Sequence, residues 1–416
     1  MHSEQERNVS ELVLPRVGRV ERLNGGPVAY RVVDEAGDEV QAVSEFFRDL
    51  AASDCSPATL RSYAYDLLGW LRFLWTVDMA WDRATRVEAR DYALWLGQAR
   101  KQPRRRRANA PTPGAVNAVT GKPYPGQTYA AATRRHARAV IHAFYDYHLG
   151  ANGRPLINPF PATRVGVTAS GNGHHNPMQP WRPTRRAAPY QPKLATRIPR
   201  AIPDERFNEV FAALGSHRDR ALLAFCISTG ARACELLGAV RGHLDPADQL
   251  IGVIRKGSRA LQMLPASADA FVWLRLYHHE LGDAVPHGAG DAVWWTLRRP
   301  HRPLSYDAAR MMFTRVQQSL GFNWSLHDLR HSAAYRMVSD PRMSLVDIQW
   351  VLGHAHLSTT ERYLTPNPDQ LVERLLAHHA HQAETAATPP RPAPGYRPEV
   401  LETLFGVPQR TGPVTP

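Results

Sequence analysis

The chain has 416 residues, 43% of them hydrophobic, which is enough for two folded domains with tails. It contains no apolar run near the roughly 20 residues that a membrane span needs. The N-terminus is polar and acidic, unlike a secretory signal, and three cysteines are too few for a disulfide framework. These features exclude a membrane-spanning or disulfide-stapled class, and they predict a cytoplasmic protein.

The net charge of +13 is concentrated in one part of the chain. Between Asp91 and Asp204 there are 18 Lys and Arg residues and a single acidic residue, Asp146, so this interval carries +17. The rest of the chain carries −4. A positive field confined to one segment is typical of a protein that binds a polyanion.

Residues 1–40 form an N-terminal extension, in which Asn24-Gly25-Gly26 between two alternating stretches predicts a small hairpin. Residues 41–150 predict a domain of four helices, including the run Ala58–Trp75, a third over 86–100 and a fourth from Gln127 to Leu149. Ser56 followed by Pro57 marks the start of the second helix.

Three groups of arginines are candidate phosphate contacts. The fourth predicted helix carries a basic side, and a long loop over 101–126 contains a run of four arginines. Residues 151–200 have nine Pro, eight basic residues and no acid, which predicts an extended linker. The candidate polyanion-binding residues are Arg104, Arg105, Arg106, Arg107, Arg134, Arg135, Arg138, Arg185 and Arg186.

Residues 201–383 predict a second, mainly helical domain with a small β-sheet, followed by a Pro-rich tail over 384–416. Helices are expected over 204–214, 219–228, 273–281, 305–320 and 369–383. A further helix beginning near Ala231 places Arg232 in its first turn, where Glu235 could hold it. Two β-type stretches flank Lys256-Gly257-Ser258, so Lys256 is expected at a hairpin tip.

The stretch from Trp324 to Tyr363 predicts three short helices. Ser325, Ser344 and Ser358 each precede an acidic residue by three positions, the pattern of a capping box. Gly353 is expected to end the second of these helices and Pro366 the third. The polar residues here are anion-binding donors and one phenol that could act as a nucleophile: His327, Arg330, His354 and Tyr363.

These motifs together resemble the tyrosine recombinase, or phage integrase, family. H-D-L-R-H at 327–331, L-G-H at 352–354 and Tyr363 are similar to its second motif, T-G-A-R-A-C-E-L-L at 229–237 to its first, and V-I-R-K-G-S-R-A at 253–260 to its lysine hairpin. The resemblance implies a helical core-binding domain and a catalytic domain that clamp DNA. It also implies the catalytic set Arg232, Lys256, His327, Arg330, His354 and Tyr363.

The resemblance implies DNA strand exchange without metal, ATP or another cofactor. Arg232 and Arg330 would hold the phosphate, since guanidinium groups match its geometry and stay charged. Tyr363 would form a 3′-phosphotyrosyl link, Lys256 would protonate the departing 5′-oxygen, and His354 would support the phosphorane. His327 would help to remove the phenolic proton or bond the phosphate, whereas His331 is expected to be structural or to act through the residues that touch the phosphate.

The partner implied is double-stranded DNA with inverted half-sites, bound by a homodimer at each site and a homotetramer in the synapse. Three alternatives remain: a DNA-binding protein on this fold that does not cut, a type IB-like topoisomerase, and a zinc hydrolase in which His327 and His331 are metal ligands. The target sequence and the biological role, whether integration, transposition or dimer resolution, are left open.

Overall fold

The computed structural model describes residues 7–101, 111–161, 188–194, 200–361, 363, 375–380 and 382. The described residues are mostly helical with two small antiparallel sheets, which confirms the predicted fold class. They cluster into two compact units: Met1–Arg197 with Gly321–Asn323, and Ile198–Leu320 with Trp324–Pro416. Several predictions fall outside the described residues, namely those for Arg104–Arg107, Arg185, Arg186, Pro366, Leu371 and the tail.

The first unit contains a hairpin and four helices. Its strands are β1 (Arg19–Arg22) and β2 (Tyr30–Val33), and its helices are α1 (Gln41–Ala52), α2 (Pro57–Thr76), α3 (Arg86–Gln98) and α4 (Ala131–Asn152). The strands pair antiparallel with Arg19 opposite Val33, so the predicted N-terminal hairpin is confirmed. The Ser56 side chain accepts from the Thr59 amide with Pro57 at the first helical position, as predicted for the start of α2.

An aromatic core holds these four helices together. Trp70 of α2 is fully buried, and its indole Nε1 donates to the Tyr145 hydroxyl of α4 at 3.0 Å. That hydroxyl donates in turn to the Trp81 carbonyl at 2.7 Å, so both polar tips inside the core are satisfied. Burial of each such ring contributes about 1.5–3 kcal/mol or more, which makes this packing the main source of the unit's stability.

Helix α3 ends earlier, and helix α4 begins later, than the sequence predicts. Arg100 and Thr128 pair in an isolated antiparallel bridge, and the Lys101 amide donates to the Gln127 carbonyl at 2.7 Å. Residues 99–101 and 127–128 are therefore extended, since a backbone used in a bridge cannot also continue a helix. The predicted boundaries at 100 and 127 were wrong for this reason.

The second unit contains eight helices and one sheet among its described residues. The helices are α5 (Asp204–Ala212), α6 (His217–Thr229), α7 (Ala233–Leu237), α8 (Ala268–Leu281), α9 (Tyr306–Ser319), α10 (Leu326–Ser339), α11 (Leu345–Leu352) and α12 (Leu357–Glu361). The strands are β3 (Leu244–Asp245), β4 (Leu250–Ile254) and β5 (Leu261–Pro265), in the order β3-β4-β5. Residues 375–380, within the predicted last helix, are also helical.

Helix α6 is the centre of this unit. It is buried along most of its length, with Phe225 at 0% exposure, and it packs against both α8 and α10. The sheet pairs Ile251 with Leu264 and Ile254 with Leu261, so the turn over 255–260 projects from the end of β4. Lys256 lies in that turn, as the hairpin pattern predicts.

The caps of the last three helices fit the prediction in two cases of three. Ser325 with Asp328 and Ser344 with Asp347 form complete capping boxes, and Gly353 ends α11 with φ +61°. The third prediction was wrong, because α12 begins at Leu357 and Ser358 lies inside it. The Thr359 amide bonds the His356 carbonyl at 3.1 Å, so His356 occupies the position assigned to Ser358.

Candidate active site

Arg330 joins two distant segments of the second unit. Its side chain is buried at 2% exposure, because α10 directs it inward between α6 and α11. Nη1 donates to the Gly230 carbonyl at 2.8 Å and Nη2 to the Leu352 carbonyl at 2.6 Å. Burial, followed by repulsion from Arg232, lowers the pKa of Arg330 to about 10, which still leaves it charged at neutral pH.

The glycine before Arg232 permits this close packing. Gly230 ends α6 with φ +62°, and a Cβ there would lie 2.9 Å from a Leu352 methyl carbon. Any other residue would meet both a strained backbone and this contact. Arg232 follows at the N-cap of α7, one position before the predicted first turn.

Glu235 organises the cations around it. Its carboxylate accepts from Arg232 Nη1 at 2.8 Å, as predicted, and also from the Arg232 backbone amide at 3.0 Å. It further accepts from Arg255 Nη1 and from the Lys256 amide, both at 3.1 Å. Burial raises its pKa, but hydrogen bonds from the Arg232 and Lys256 amides and the Arg232 side chain outweigh burial, so the pKa is lowered. The ionised Glu235 carboxylate therefore bonds both Arg232 and the turn that carries Lys256, and it keeps the two close together.

Arg255 was missed by the sequence analysis. It is 4% exposed and donates to Glu235, to the Gln262 side chain and to the Val351 carbonyl. A Cβ on Gly353 would lie 3.0 Å from its Nε, so Arg255 packs on the backbone just before His354. Its pKa is lowered, mainly by burial.

A signal for Arg255 was present in the strand pattern. Ile251 and Val253 are inward-facing residues of β4, and Arg255 is the next position of that two-residue period. The Lys256 side chain, one residue on, is exposed at the turn. The alternation thus predicts that Arg255 is buried and that the next residue, Lys256, is exposed.

Tyr363 is nearly buried, at 5% exposure, and its ring lies among other rings. The His354 ring is parallel to it, with centroids 6.3 Å apart and 4° between planes, while Tyr335 meets it edge-on at 5.8 Å. Its hydroxyl oxygen lies 2.8 Å from His331 Nδ1. Tyr363 also lies within electrostatic reach of Arg330.

His354 is held as a neutral ring. Its Nδ1 is 2.8 Å from the Thr360 hydroxyl, and its backbone amide donates to the Gln349 carbonyl across the Gly353 turn. Burial first, then repulsion from Arg330, Arg232 and Arg255, lowers the pKa of His354 to about 4. If Thr360 donates to Nδ1, the proton is on Nε2 and can be given to a phosphate oxygen.

The contact at the phenol bears on the roles expected for two histidines. His327 is the candidate for receiving the phenolic proton, and this stays a prediction, but the ring nitrogen within hydrogen-bond distance of the Tyr363 oxygen belongs to His331. His327 lies one turn earlier on α10, and the two imidazole centroids are 4.4 Å apart. Spacing along the chain does not determine which of these two neighbouring rings of α10 meets the phenol.

The predicted basic face of α4 divides into different environments. Arg138 donates to the Pro189 carbonyl at 2.9 Å and to the Pro161 carbonyl at 2.8 Å. Its guanidinium thus connects α4 to two segments of the first unit outside the helices, and contact of Arg138 with DNA stays a prediction. Arg135 is exposed and Arg134 is partly buried, and for these two residues DNA contact stays a prediction.

The described part of the chain gives no support to the zinc alternative. Within it, no three His, Cys, Asp or Glu side chains are placed to share a metal ion. Among the same residues, every helix is too short or too polar to cross a bilayer.

Comparison with known proteins agrees with this arrangement. Residues 204–370 match the model of the phage integrase family. The chain is 31% identical over 329 residues to tyrosine recombinase XerC of Myxococcus xanthus, covering 76% of this chain and 89% of that one. It is 30% identical to tyrosine recombinase XerD of Neisseria meningitidis over 188 residues, or 44% of this chain, and spans only 62% of that relative's length.

Two solved structures share the fold. The Tn1549 transposon integrase in complex with circular intermediate DNA aligns with a TM-score of 0.53 at 12% identity, covering 80% of this chain and 98% of that one. A λ integrase dimer bound to a core site aligns with a TM-score of 0.51 at 16% identity, covering 78% and 76%. With the extended similarity to XerC, these matches establish that the chain belongs to the phage integrase family of tyrosine recombinases.

Proposed function

We propose that this chain is a site-specific recombinase that cuts and rejoins DNA through a 3′-phosphotyrosyl intermediate. One observation carries the proposal. Arg330 bonds the backbone just before Arg232 and the backbone just before His354, and its charge lies within reach of Tyr363. Four segments that are distant in sequence therefore meet where one phosphate could sit.

The two guanidiniums would bind the nonbridging oxygens of the phosphate. Arg330 is fixed by two carbonyls and Arg232 by Glu235, so neither needs to reorganise as charge develops in the transition state. Each donor preorganised in this way is worth about 10²–10³ in rate at comparable anion sites. Neutral His354 would add a hydrogen bond without a further charge.

Lys256 would be the leaving-group acid. Its backbone amide is tied to Glu235, whereas its side chain is exposed at the hairpin turn and can follow the substrate. Protonation of the 5′-oxygen lets it depart as a hydroxyl, and the phosphotyrosyl link keeps the bond energy for rejoining. Because the phosphotyrosyl link keeps this energy, rejoining would need no nucleotide cofactor.

The proposed partner is double-stranded DNA with inverted half-sites, bound by a dimer at each site and a tetramer in the synapse. The net charge of +17 between Asp91 and Asp204 supports a polyanionic partner. The λ integrase dimer on its core site and the Tn1549 integrase on DNA are precedents for such complexes on this fold. DNA as the partner also fits a cytoplasmic, nucleoid-associated location.

The test is capture of covalent adducts on a library of duplexes with a randomised centre and a nick near the middle. Cleavage beside the nick releases a short fragment and traps the enzyme on DNA, so an SDS-resistant adduct should accumulate in the wild type. Sequencing of the trapped duplexes should give an inverted repeat. A wild-type protein that binds the library without forming adducts would contradict the proposal and favour the non-cutting alternative.

The same protein preparation distinguishes a site-specific recombinase from a type IB-like topoisomerase. A type IB-like topoisomerase would relax supercoiled plasmids of any sequence. A site-specific recombinase should act only on plasmids that carry the recovered repeat.

A further inference from the structure

The phenol of Tyr363 is already paired with a base in this structure. Its oxygen lies 2.8 Å from His331 Nδ1, within ordinary hydrogen-bond range, and its ring is almost excluded from solvent. An imidazole nitrogen at that distance is either the acceptor of the phenol proton or a donor to the phenol oxygen. The reference pKa values of the two groups and the neighbours of His331 bear on which case applies.

Within the part of the chain that the structure describes, the titratable groups near His331 lie on α10 and on the segments that follow α11 and α12. His327 and Tyr335 are its neighbours four residues away on α10, and His354 follows α11. Arg330, the adjacent residue, is charged, whereas the pKa of His354 is lowered to about 4 and that ring is neutral. A neutral imidazole accepts at the ring nitrogen that carries no proton, so Nδ1 can accept from the phenol when the proton of His331 is on Nε2.

We infer that His331, through Nδ1, is the general base that takes the proton of Tyr363 as the phenol attacks DNA. The assignment rests on the proposed function. In the step, the O–H bond of Tyr363 breaks and its proton passes to His331 Nδ1, while the phenol oxygen forms a bond to phosphorus. The bond from phosphorus to the 5′-oxygen breaks, and that oxygen receives a proton from Lys256. On rejoining, the imidazolium of His331 returns the proton to Tyr363.

The chemistry of the phenol requires such a partner. A tyrosine hydroxyl has a reference pKa of about 10, so only about one in 10³ is ionised at neutral pH. A positioned imidazole, with a reference pKa of about 6.5, can remove the proton as the O–P bond forms, and general bases contribute about 10²–10⁴ in rate. His327, one turn away, is then available to bond the phosphate.

The experiment compares His331→Asn with the matched variant His327→Asn. An Asn side chain can place an amide near the Nδ1 position, so it keeps a hydrogen bond to the phenol but cannot take its proton. Single-turnover adduct formation is measured on the duplex recovered in the adduct capture, between about pH 5.5 and 9. DNA binding by gel shift and thermal unfolding are measured for each variant, and His331→Gln serves if His331→Asn is unstable.

The wild-type rate should rise about tenfold per pH unit while the base is still protonated, and it should level off once the base is neutral. His331→Asn should be slower by about 10²–10⁴ near neutral pH. Its rate should continue to rise with pH toward the phenol's own pKa of about 10. His327→Asn should lose rate, because it removes a bond to the phosphate, but its pH profile should keep the wild-type shape. The profile of Tyr335→Phe, which retains the packed ring, should also keep that shape.

A substrate with sulfur in place of the bridging 5′-oxygen separates the base from the acid. A thiolate departs without a proton, so this substrate should restore cleavage to Lys256→Ala and not to His331→Asn. If His331→Asn had the wild-type rate and pH profile, or if the sulfur substrate restored its rate, the assignment of His331 as the base would be overturned. The proposed function would still stand. Failure of the wild type to form any adduct would overturn the proposed function and this assignment with it.

Discussion

The two units bury different kinds of side chain. The interior of the first is built on aromatic rings such as Trp70, whose polar atoms are satisfied within the core. The second buries Arg330, Arg255 and Glu235 beside its apolar core. Buried ion pairs are expensive to desolvate and often contribute no net stability, so this network is better explained by what it positions than by what it stabilises.

The third buried arginine of the second unit sharpens this contrast. Arg218 is bonded to Asp219 at 2.6 Å and to the Trp295 carbonyl, so it is a satisfied structural pair. Arg330 and Arg255 instead bond the ends of segments that carry the candidate catalytic residues. Burial of charge alone therefore does not identify the site, and the identity of the bonded partners does.

Loss of an aromatic core residue should give the largest effect, and on stability alone. Trp70→Ala removes a fully buried ring and should cost about 3–5 kcal/mol of unfolding free energy. Urea unfolding followed by circular dichroism measures this. The matched control is Trp350→Ala, which removes a 57% exposed ring and should change stability by less than about 0.5 kcal/mol. Equal losses in the two variants would contradict the assignment of Trp70 to the core.

Loss of a guanidinium that binds the phosphate should lower the rate of DNA cleavage. Arg330→Ala should slow adduct formation by at least about 10²–10³, because it removes both a donor to the phosphate and the link between Gly230 and Leu352. Single-turnover kinetics with saturating protein measures the effect. An Arg330→Ala variant that is folded and cleaves at the wild-type rate would remove the central argument for the site.

Arg255 should have a smaller effect, because it acts through other residues. Arg255→Met keeps an unbranched apolar stem but removes the guanidinium, so Glu235 and the Val351 carbonyl lose this donor and the lysine turn and His354 should shift. Misplacement of this order can cost about 10² in rate. The rate should recover in part on the 5′-sulfur substrate, which does not depend on the position of Lys256.

Arg310→Met is the control for Arg255. It removes the same charge from an exposed position on α9, where the ion pair with Asp307 spans 3.8 Å. An exposed pair contributes at most about 1 kcal/mol, so cleavage and stability should change little. If Arg310→Met and Arg255→Met lowered the cleavage rate equally, the effect would come from the protein's total charge and not from the position of Arg255.

His354 should produce the smallest effect, in the pH dependence of stability. Its pKa is lowered to about 4 in the folded protein against a reference of about 6.5, so the unfolded chain binds more protons between these values. Stability should therefore be present above about pH 6.5 and be lost as the pH falls toward 4. Thermal unfolding of His354→Gln should show a shallower loss over this window, and an unchanged slope would contradict the neutral assignment.

Local signals in the sequence were sufficient for most of the fold. Ser56, Ser325, Ser344 and Gly353 act through bonds to residues within five positions, so caps and ends could be predicted from spacing. The ends of α3 and α4 could not, because Arg100 and Thr128 pair across 28 positions. Non-local pairing of this kind leaves no local pattern.

The candidate site shows the same division. The family resemblance identified Arg232, Arg330, His354 and Tyr363, but it could not determine which histidine meets the phenol or that Arg255 bonds both Glu235 and α11. Both contacts depend on how α10, α11, α12 and the hairpin pack in three dimensions. The strand period did mark Arg255 as inward-facing, so that residue could have been found from the sequence.

The most direct test of the account is to identify the residue that carries the DNA. Wild-type protein is trapped on the nicked duplex, digested with protease and nuclease, and the nucleotide-bearing peptide is sequenced by mass spectrometry. The account predicts a single modified residue, Tyr363, joined to a 3′-phosphate, and no adduct from Tyr363→Phe although that variant still binds DNA. A modification on any other residue, or an adduct that persists in Tyr363→Phe, would contradict it.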